Sequence, residues 1–169
     1  IAAANMTLGA WYAGARALTS TSGGGFALME EAISMSGIGE LPVVIHNAMR
    51  PGPGTGLPTR TEQGDLNLAM YAGHGDFPRV ILAPTSLESG VELGQKSFNI
   101  ADKYQVPVIL LTDAHYLSQS LNLGEVNLEE NEYHIVESKS GYKRYEYTES
   151  GISPRAVPGY GEGLVKVDS

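Results

Sequence analysis

The chain contains no cysteine. That removes disulfides, thiolate zinc sites, a cysteine nucleophile and any iron–sulfur cluster held by its own thiolates, while leaving the redox compartment open. Positive charge is scarce: 11 basic residues stand against 19 acidic ones, for a net charge of −8. Nucleic-acid phosphate needs a basic face, so nucleic acid is excluded as a partner. No apolar run approaches the ~20 residues that cross a bilayer. No basic segment followed by an apolar stretch marks a secretory signal. The four histidines, His46, His74, His115 and His134, are too scattered for metal-ligand spacing, and no metal site is expected from them. Neither a Walker-type Gly-Lys-Ser/Thr ending nor the dinucleotide fingerprint is present. His74-Gly75-Asp76 is half of a dyad with no nucleophile on an elbow to serve it, which leaves a hydrolase little support.

What remains is 169 residues, 42% hydrophobic and 18% charged, enough for one globular domain with a real core. The small-residue periodicity of Ala2 to Ala17 predicts a buried helix, with Met6, Leu8, Ala10 and Ala13 available for close packing. Ala17 to Ser22 reads as a short strand ending at Gly23-Gly24-Gly25, and a second helix is expected from Phe26 to about Ser36. Leu41 to Ile45 is a short, continuous apolar run typical of a strand buried on both faces, Val106 to Thr112 reads as another buried strand, and Arg79 to Ala83 (RVILA) as a further strand. Pro84-Thr85-Ser86 opens a helix over Leu87 to Tyr104. Strands alternating with helices predict a parallel α/β sheet covered on both faces, whose ligands lie at the carboxyl ends of the strands. Past Ser118 the pattern changes. Tyr133 to Val136 and Tyr142 to Tyr147 alternate like an antiparallel β hairpin, and Gly151 to Ser169 reads as an extended arm.

One of those carboxyl ends opens into a loop from His46 to Arg79, rich in glycine and carrying four prolines. Long ordered loops of this kind usually serve ligands. Arg50 follows a buried strand on a stiff Pro51-Gly52-Pro53-Gly54 corner, well placed to grip a carboxylate in bidentate fashion; the plainer alternative pairs it with Glu62 or Asp65. Arg60, Glu62 and Asp65 are expected to make loop-fixing ion pairs, and Thr61 to cap the helix that follows. Thr21-Ser22-Gly23 offers amides and an open backbone to an anion or a ring, with a simple strand-to-helix turn capped by Ser22 as an equal alternative.

The run Arg50-Pro51-Gly52-Pro53-Gly54-Thr55-Gly56-Leu57-Pro58-Thr59-Arg60-Thr61-Glu62-Gln63-Gly64-Asp65-Leu66, with Gly73-His74-Gly75-Asp76-Phe77-Pro78-Arg79 after it, closely resembles the alpha subunit of 2-oxoacid:ferredoxin oxidoreductases. Within that group it looks most like the 2-oxoglutarate type. The resemblance extends over Gly9 to Arg16, Thr19 to Gly23, Ala83 to Ser86, Phe98 to Ile109 and Gly151 to Ala156, nearly the whole chain. It implies a pyrimidine-binding-type domain of a thiamine-diphosphate enzyme over residues 1–118, with residues 119–169 as hairpin extension and arm.

The reaction implied is oxidative decarboxylation of a 2-oxoacid to acyl-CoA. The cofactor supplies an electron sink that side chains lack, and electrons pass through iron–sulfur clusters to ferredoxin. A separate diphosphate-binding beta subunit would hold the magnesium and diphosphate and carry the cluster, giving a cytoplasmic hetero-oligomer inactive without its partner. Residue by residue, Arg50 matches the arginine that binds the substrate carboxylate. Thr21, Ser22 and Gly23 match the turn along the aminopyrimidine, with Thr55 and Gly56 as further cofactor-binding positions. No residue of this chain matches the family's catalytic glutamate, which is expected just upstream of Ile1; a threonine-bearing substrate segment is expected further upstream. The absence of an initiator Met before Ile1-Ala2-Ala3-Ala4 fits a piece of a longer polypeptide. Gly54 stands where relatives often carry serine, which should loosen the corner. A non-catalytic assembly module of the same fold is the alternative.

Overall fold

A computed structural model of the chain describes residues 1–166. Its centre is a four-stranded, all-parallel sheet in the order β1-β2-β4-β3. The strands are β1 (Leu18–Thr21), β2 (Val43–Met49), β3 (Val80–Leu82) and β4 (Pro107–Asp113). The helices are α1 (Ala2–Tyr12), α2 (Gly23–Ala27), α3 (Glu30–Gly39), α4 (Leu66–Met70), α5 (Leu87–Tyr104) and α6 (Ala114–Leu117).

Alternation along the strands splits the core in two. Val43, Ile45, Met49, Ile109 and Leu111 face α1 to α4, packing with Leu8, Phe26, Ile33 and Ala69. Val44, Val108 and Leu110 face α5, packing with Trp11 and Ala101. Each fully buried large side chain among these contributes about 1.5–3 kcal/mol. The predicted parallel sheet with helices on both faces is therefore the observed one. The first helix stops at Tyr12 rather than Ala17, because Gly14 turns the chain at φ +91 and the Trp11 indole donates to Ala17 O at 2.8 Å. Its buried stripe is Ala4, Thr7, Leu8 and Trp11, while Met6 is 75% exposed. The predicted second helix is two, α2 and α3, broken around Leu28 so that Phe26 and Met29 both reach the core.

α5 is held at its start by a reciprocal pair: Ser86 Oγ accepts from Ser89 N–H, and Ser89 Oγ accepts from Ser86 N–H. Beyond α6 the chain runs along α5, whose side chains take its main-chain groups. Glu88 accepts from Gly124 N–H at 2.8 Å, Glu92 from Asn127 N–H at 3.0 Å, and Asn99 donates to Glu130 O at 2.8 Å.

The predicted antiparallel hairpin does not form; no strand occupies residues 133–147. Val136 N–H donates instead to Arg155 O and Ser138 N–H to Tyr160 O, and Ser138 makes a single parallel bridge to Gly161. Tyr142 turns its hydroxyl to Pro154 O at 2.8 Å. Tyr142 thus serves as a polar handle on the tail, and Arg155 inserts beneath α1, donating to Asp102 on α5, a carboxylate shared with Arg16. The end of the predicted arm, residues 167–169, lies outside the described residues.

Candidate functional site

Parallel strands bring their carboxyl ends to one edge, and four chain segments meet there. The first is the β1–α2 turn. Ser22 occupies the cap position of α2 in extended conformation, but its hydroxyl makes no capping bond, so the predicted cap is absent. Two of the glycines after it, Gly23 and Gly25, leave no room for a β-carbon without a shift of the neighbouring side chain. A β-carbon on Gly23 would overlap the Asp65 carboxylate, one on Gly25 would overlap Thr21 Oγ1, and one on Gly24 would lie 3.5 Å from Gly54 O. The turn and the long loop are therefore packed against each other.

The second segment is the end of β2. Arg50 is half-buried, with its Nε shielded from solvent and unpartnered. It forms no ion pair or hydrogen bond among the described residues, and the alternative pairing with Glu62 or Asp65 is not observed. The third segment is the loop that leaves Arg50. Residues 52–64 are all exposed. Gly56 adopts φ +57, and a β-carbon there would strike the Pro51 carbonyl, which accepts from Leu57 N–H at 3.1 Å. Thr55 is exposed beside it.

The expected ion pairs of Arg60, Glu62 and Asp65 are replaced by neutral-to-charged hydrogen bonds. Asn47 Nδ2 donates to Asp65 Oδ2 at 3.1 Å, and Gln63 Nε2 donates to Asp113 Oδ2 at 2.6 Å. Thr61 does not cap α4; Asp65 occupies that position, and Thr61 Oγ1 accepts from His115 N–H at 3.3 Å. Hydrogen-bonding side chains reach further across the fold here than the ion pairs would have, because their partners sit on β2 and β4.

The fourth segment is the β4–α6 junction. Asp113 caps α6 through Tyr116 N–H at 2.7 Å, and the Gln63 bond, followed by that amide, holds its carboxyl below the usual range. Between this junction, Gln63 and the β3–α5 turn lies a cleft of about 460 Å³, floored by Met49 and Leu111. Across the neighbouring strands runs a row of three side chains: Ser20 Oγ lies 2.8 Å from His46 Nδ1, and His46 Nε2 lies 2.7 Å from Thr112 Oγ1. Burial lowers the His46 pKa and so favours the neutral ring, which can donate to one hydroxyl and accept from the other.

The structure thus gathers Thr21, Ser22, Gly23, Arg50, Thr55 and Gly56 at one edge. Sequence reasoning missed Gln63, Asp113 and Asn47 as members of this edge. The sequence signals that pointed that way were the strand ends themselves, His46 to Arg50 for Asn47 and Thr112 to His115 for Asp113.

These features define an α/β domain that presents an unpaired arginine and a glycine-lined turn at the carboxyl edge of a parallel sheet. The chain belongs to the family described as "Pyruvate flavodoxin/ferredoxin oxidoreductase, thiamine diP-bdg", whose model matches residues 1–169. It is 44% identical over 162 residues to the 2-oxoacid:ferredoxin oxidoreductase 2, subunit alpha, of Aeropyrum pernix, a match covering 92% of this chain and 25% of that protein. It is 49% identical over 113 residues to the 2-oxoglutarate synthase subunit KorA of Archaeoglobus fulgidus, covering 67% of this chain and 33% of the relative. A solved 2-oxoglutarate:ferredoxin oxidoreductase from Magnetococcus marinus, with 2-oxoglutarate, coenzyme A and succinyl-CoA bound, matches 99% of this chain and 30% of its own, at 38% identity and a TM-score of 0.88. The chain spans about a quarter to a third of the length of these relatives.

Proposed function

We propose that the chain is the pyrimidine-side domain in the alpha subunit of a thiamine-diphosphate-dependent 2-oxoacid:ferredoxin oxidoreductase acting on 2-oxoglutarate. The observation that carries this reading is Arg50: a half-buried guanidinium at the carboxyl edge of the sheet with no partner among the described residues. A shielded guanidinium N–H without a partner is unfavourable, so a group left in this state is suited to an anionic ligand that accepts from it. The planar fork of arginine fits a carboxylate with two parallel hydrogen bonds.

The thiamine group fits the residues present. The Ser22 hydroxyl makes no capping bond and is free to meet the ring, while the Asp65 carboxylate, Thr21 Oγ1 and the Gly54 carbonyl pack against the Gly23–Gly25 backbone and hold the turn in place. Thr21, Ser22 and Gly23, with Thr55 and Gly56 opposite, would hold the aminopyrimidine. When bound, the cofactor supplies the electron sink for decarboxylation. Arg50 binds the substrate carboxylate and fixes the orientation of the 2-oxo group, a contribution of positioning. A diphosphate-binding beta subunit holds the magnesium and the diphosphate and carries the iron–sulfur cluster. Coenzyme A accepts the acyl group and ferredoxin the electrons, in a cytoplasmic hetero-oligomer. The names of the relatives support the substrate choice.

The test is anaerobic reconstitution of the full-length subunit with its partner, followed by dye reduction across a panel of 2-oxoacids. Turnover requiring both coenzyme A and 2-oxoglutarate is expected, and Arg50→Ala should raise KM and lower turnover with assembly intact. A complete complex with no such turnover would sink the reading.

A further inference from the structure

We infer that Asn47 and Asp65 form a clasp that positions Arg50, acting on the substrate grip without touching the substrate. The inference rests on the reading of Arg50 as the carboxylate-binding residue.

Asn47 lies on β2, three residues before Arg50, and is fully buried. Its Nδ2 donates to Asp65 Oδ2 at 3.1 Å, whereas its Oδ1 has no partner. A buried amide left half-satisfied is unfavourable compared with an apolar side chain of the same size. Packing therefore does not account for an asparagine here; the bond to Asp65 does.

Asp65 is where the chain returns from the loop that departs at Arg50. The stretch between them is exposed from residue 52 to residue 64, so the Asn47–Asp65 bond closes the neck of that loop. The same carboxylate lies against Gly23, where any β-carbon would collide with it, and Gly54 O lies against Gly24. One carboxylate thus seats the loop on β2 and on the β1–α2 turn together.

Arg50 sits inside this neck. Behind it is Asn47; ahead of it is Pro51, whose carbonyl accepts from Leu57 N–H at 3.1 Å. With the backbone held on both sides, the Cα–Cβ direction of Arg50 is fixed, and the shielding of its Nε keeps the side chain against the edge. Opening the clasp leaves the charge in place but frees its direction, and the orientation of the bound 2-oxoacid is lost with it.

The test is a swap in the full-length subunit assembled with its partner. N47D sets two carboxylates face to face and should open the neck. Tryptic cleavage after the exposed Arg60 should accelerate several-fold, and KM for 2-oxoglutarate should rise about tenfold with a smaller change in kcat. The double variant N47D/D65N restores one donor–acceptor pair in the reverse sense, and both readouts should return toward the parent. A merely structural role predicts less folded protein with kinetic constants unchanged per active site, and no recovery in the double variant. Equal cleavage rates and KM values in N47D and parent, or a swap that restores neither, would overturn the clasp. If the parent complex shows no 2-oxoacid-dependent turnover, the reading of Arg50 fails, and cleavage by itself still decides whether the clasp holds the loop.

Discussion

Arg144 donates to the Gln105 side chain at 2.6 Å and, with the same nitrogen, to Glu40 O at 2.7 Å. Gln105 and Glu40 are the two non-glycine residues with left-handed backbone among the described residues, at φ +56 and φ +46, and they end α5 and α3. A left-handed non-glycine residue costs roughly 1–2 kcal/mol, and such helix ends usually carry glycine. One tail arginine therefore secures two strained helix ends at the amino edge of the sheet, opposite the candidate site. Burial lowers its pKa, opposed by the Glu40 carboxylate. Arg144→Met is expected to cost about 2–4 kcal/mol, since it leaves buried acceptors unpaired. Urea unfolding of the full-length subunit checks this, and a loss within 0.5 kcal/mol, the usual surface range, would mean the caps stand unaided.

His46 makes a prediction about pH. Burial lowers its pKa below the ordinary 6.5. Between the folded and unfolded values the unfolded chain binds more proton, so this residue's contribution is fully present above about pH 6.5 and is lost as pH falls. His46→Gln keeps a donor and an acceptor for Ser20 and Thr112 but cannot titrate. The stability difference between parent and variant should therefore shift against the parent on acidification from pH 7 to pH 5. Parallel stability curves over that range would contradict a depressed His46.

The sheet was legible in the sequence because Val43 to Ile45 and Val108 to Leu111 are short, uniformly apolar runs that fit central strands buried on both faces, whereas Val80 to Leu82, equally apolar, is a half-buried edge strand. Arg50 was legible for a related reason: charge immediately after such a strand lies at the ligand edge. The tail was not. Tyr133 to Val136 alternate as a strand would, yet Val136 N–H goes to Arg155 O, and the adjoining Glu132 N–H goes to Asn99 on α5, choices made by tertiary contact. The Asn47–Asp65 bond was illegible too. Both residues are ordinary in their local sequence, and only the folding back of the loop brings them together.

Gly54 and Gly56 separate two reasons for a glycine. Both have positive φ, +65 and +57, but a β-carbon at Gly54 meets nothing within 4 Å, whereas one at Gly56 meets the Pro51 carbonyl. Gly54→Ala should lose only the backbone preference, about 1–2 kcal/mol. Gly56→Ala should lose more and also open the Leu57–Pro51 hydrogen bond. Amide exchange at Leu57 in the two variants reads this directly: faster exchange in Gly56→Ala and near-parental exchange in Gly54→Ala are expected.

Arg50→Lys asks whether the site needs charge or geometry. Lysine keeps the positive charge but presents a compact, strongly hydrated ammonium in place of a planar fork. It cannot make two parallel bonds to one carboxylate, and it has no counterpart to the shielded Nε of Arg50. If charge alone mattered, kcat/KM for 2-oxoglutarate would change little. The half-buried, unpartnered setting of Arg50 argues for geometry, so kcat/KM in the assembled enzyme should fall about 10–100-fold, a loss of about 1.4–2.8 kcal/mol in transition-state binding. Adding guanidinium ion to the Arg50→Ala enzyme should recover part of the activity, whereas ammonium should not. Equal rescue by both ions would reduce the residue to a point charge.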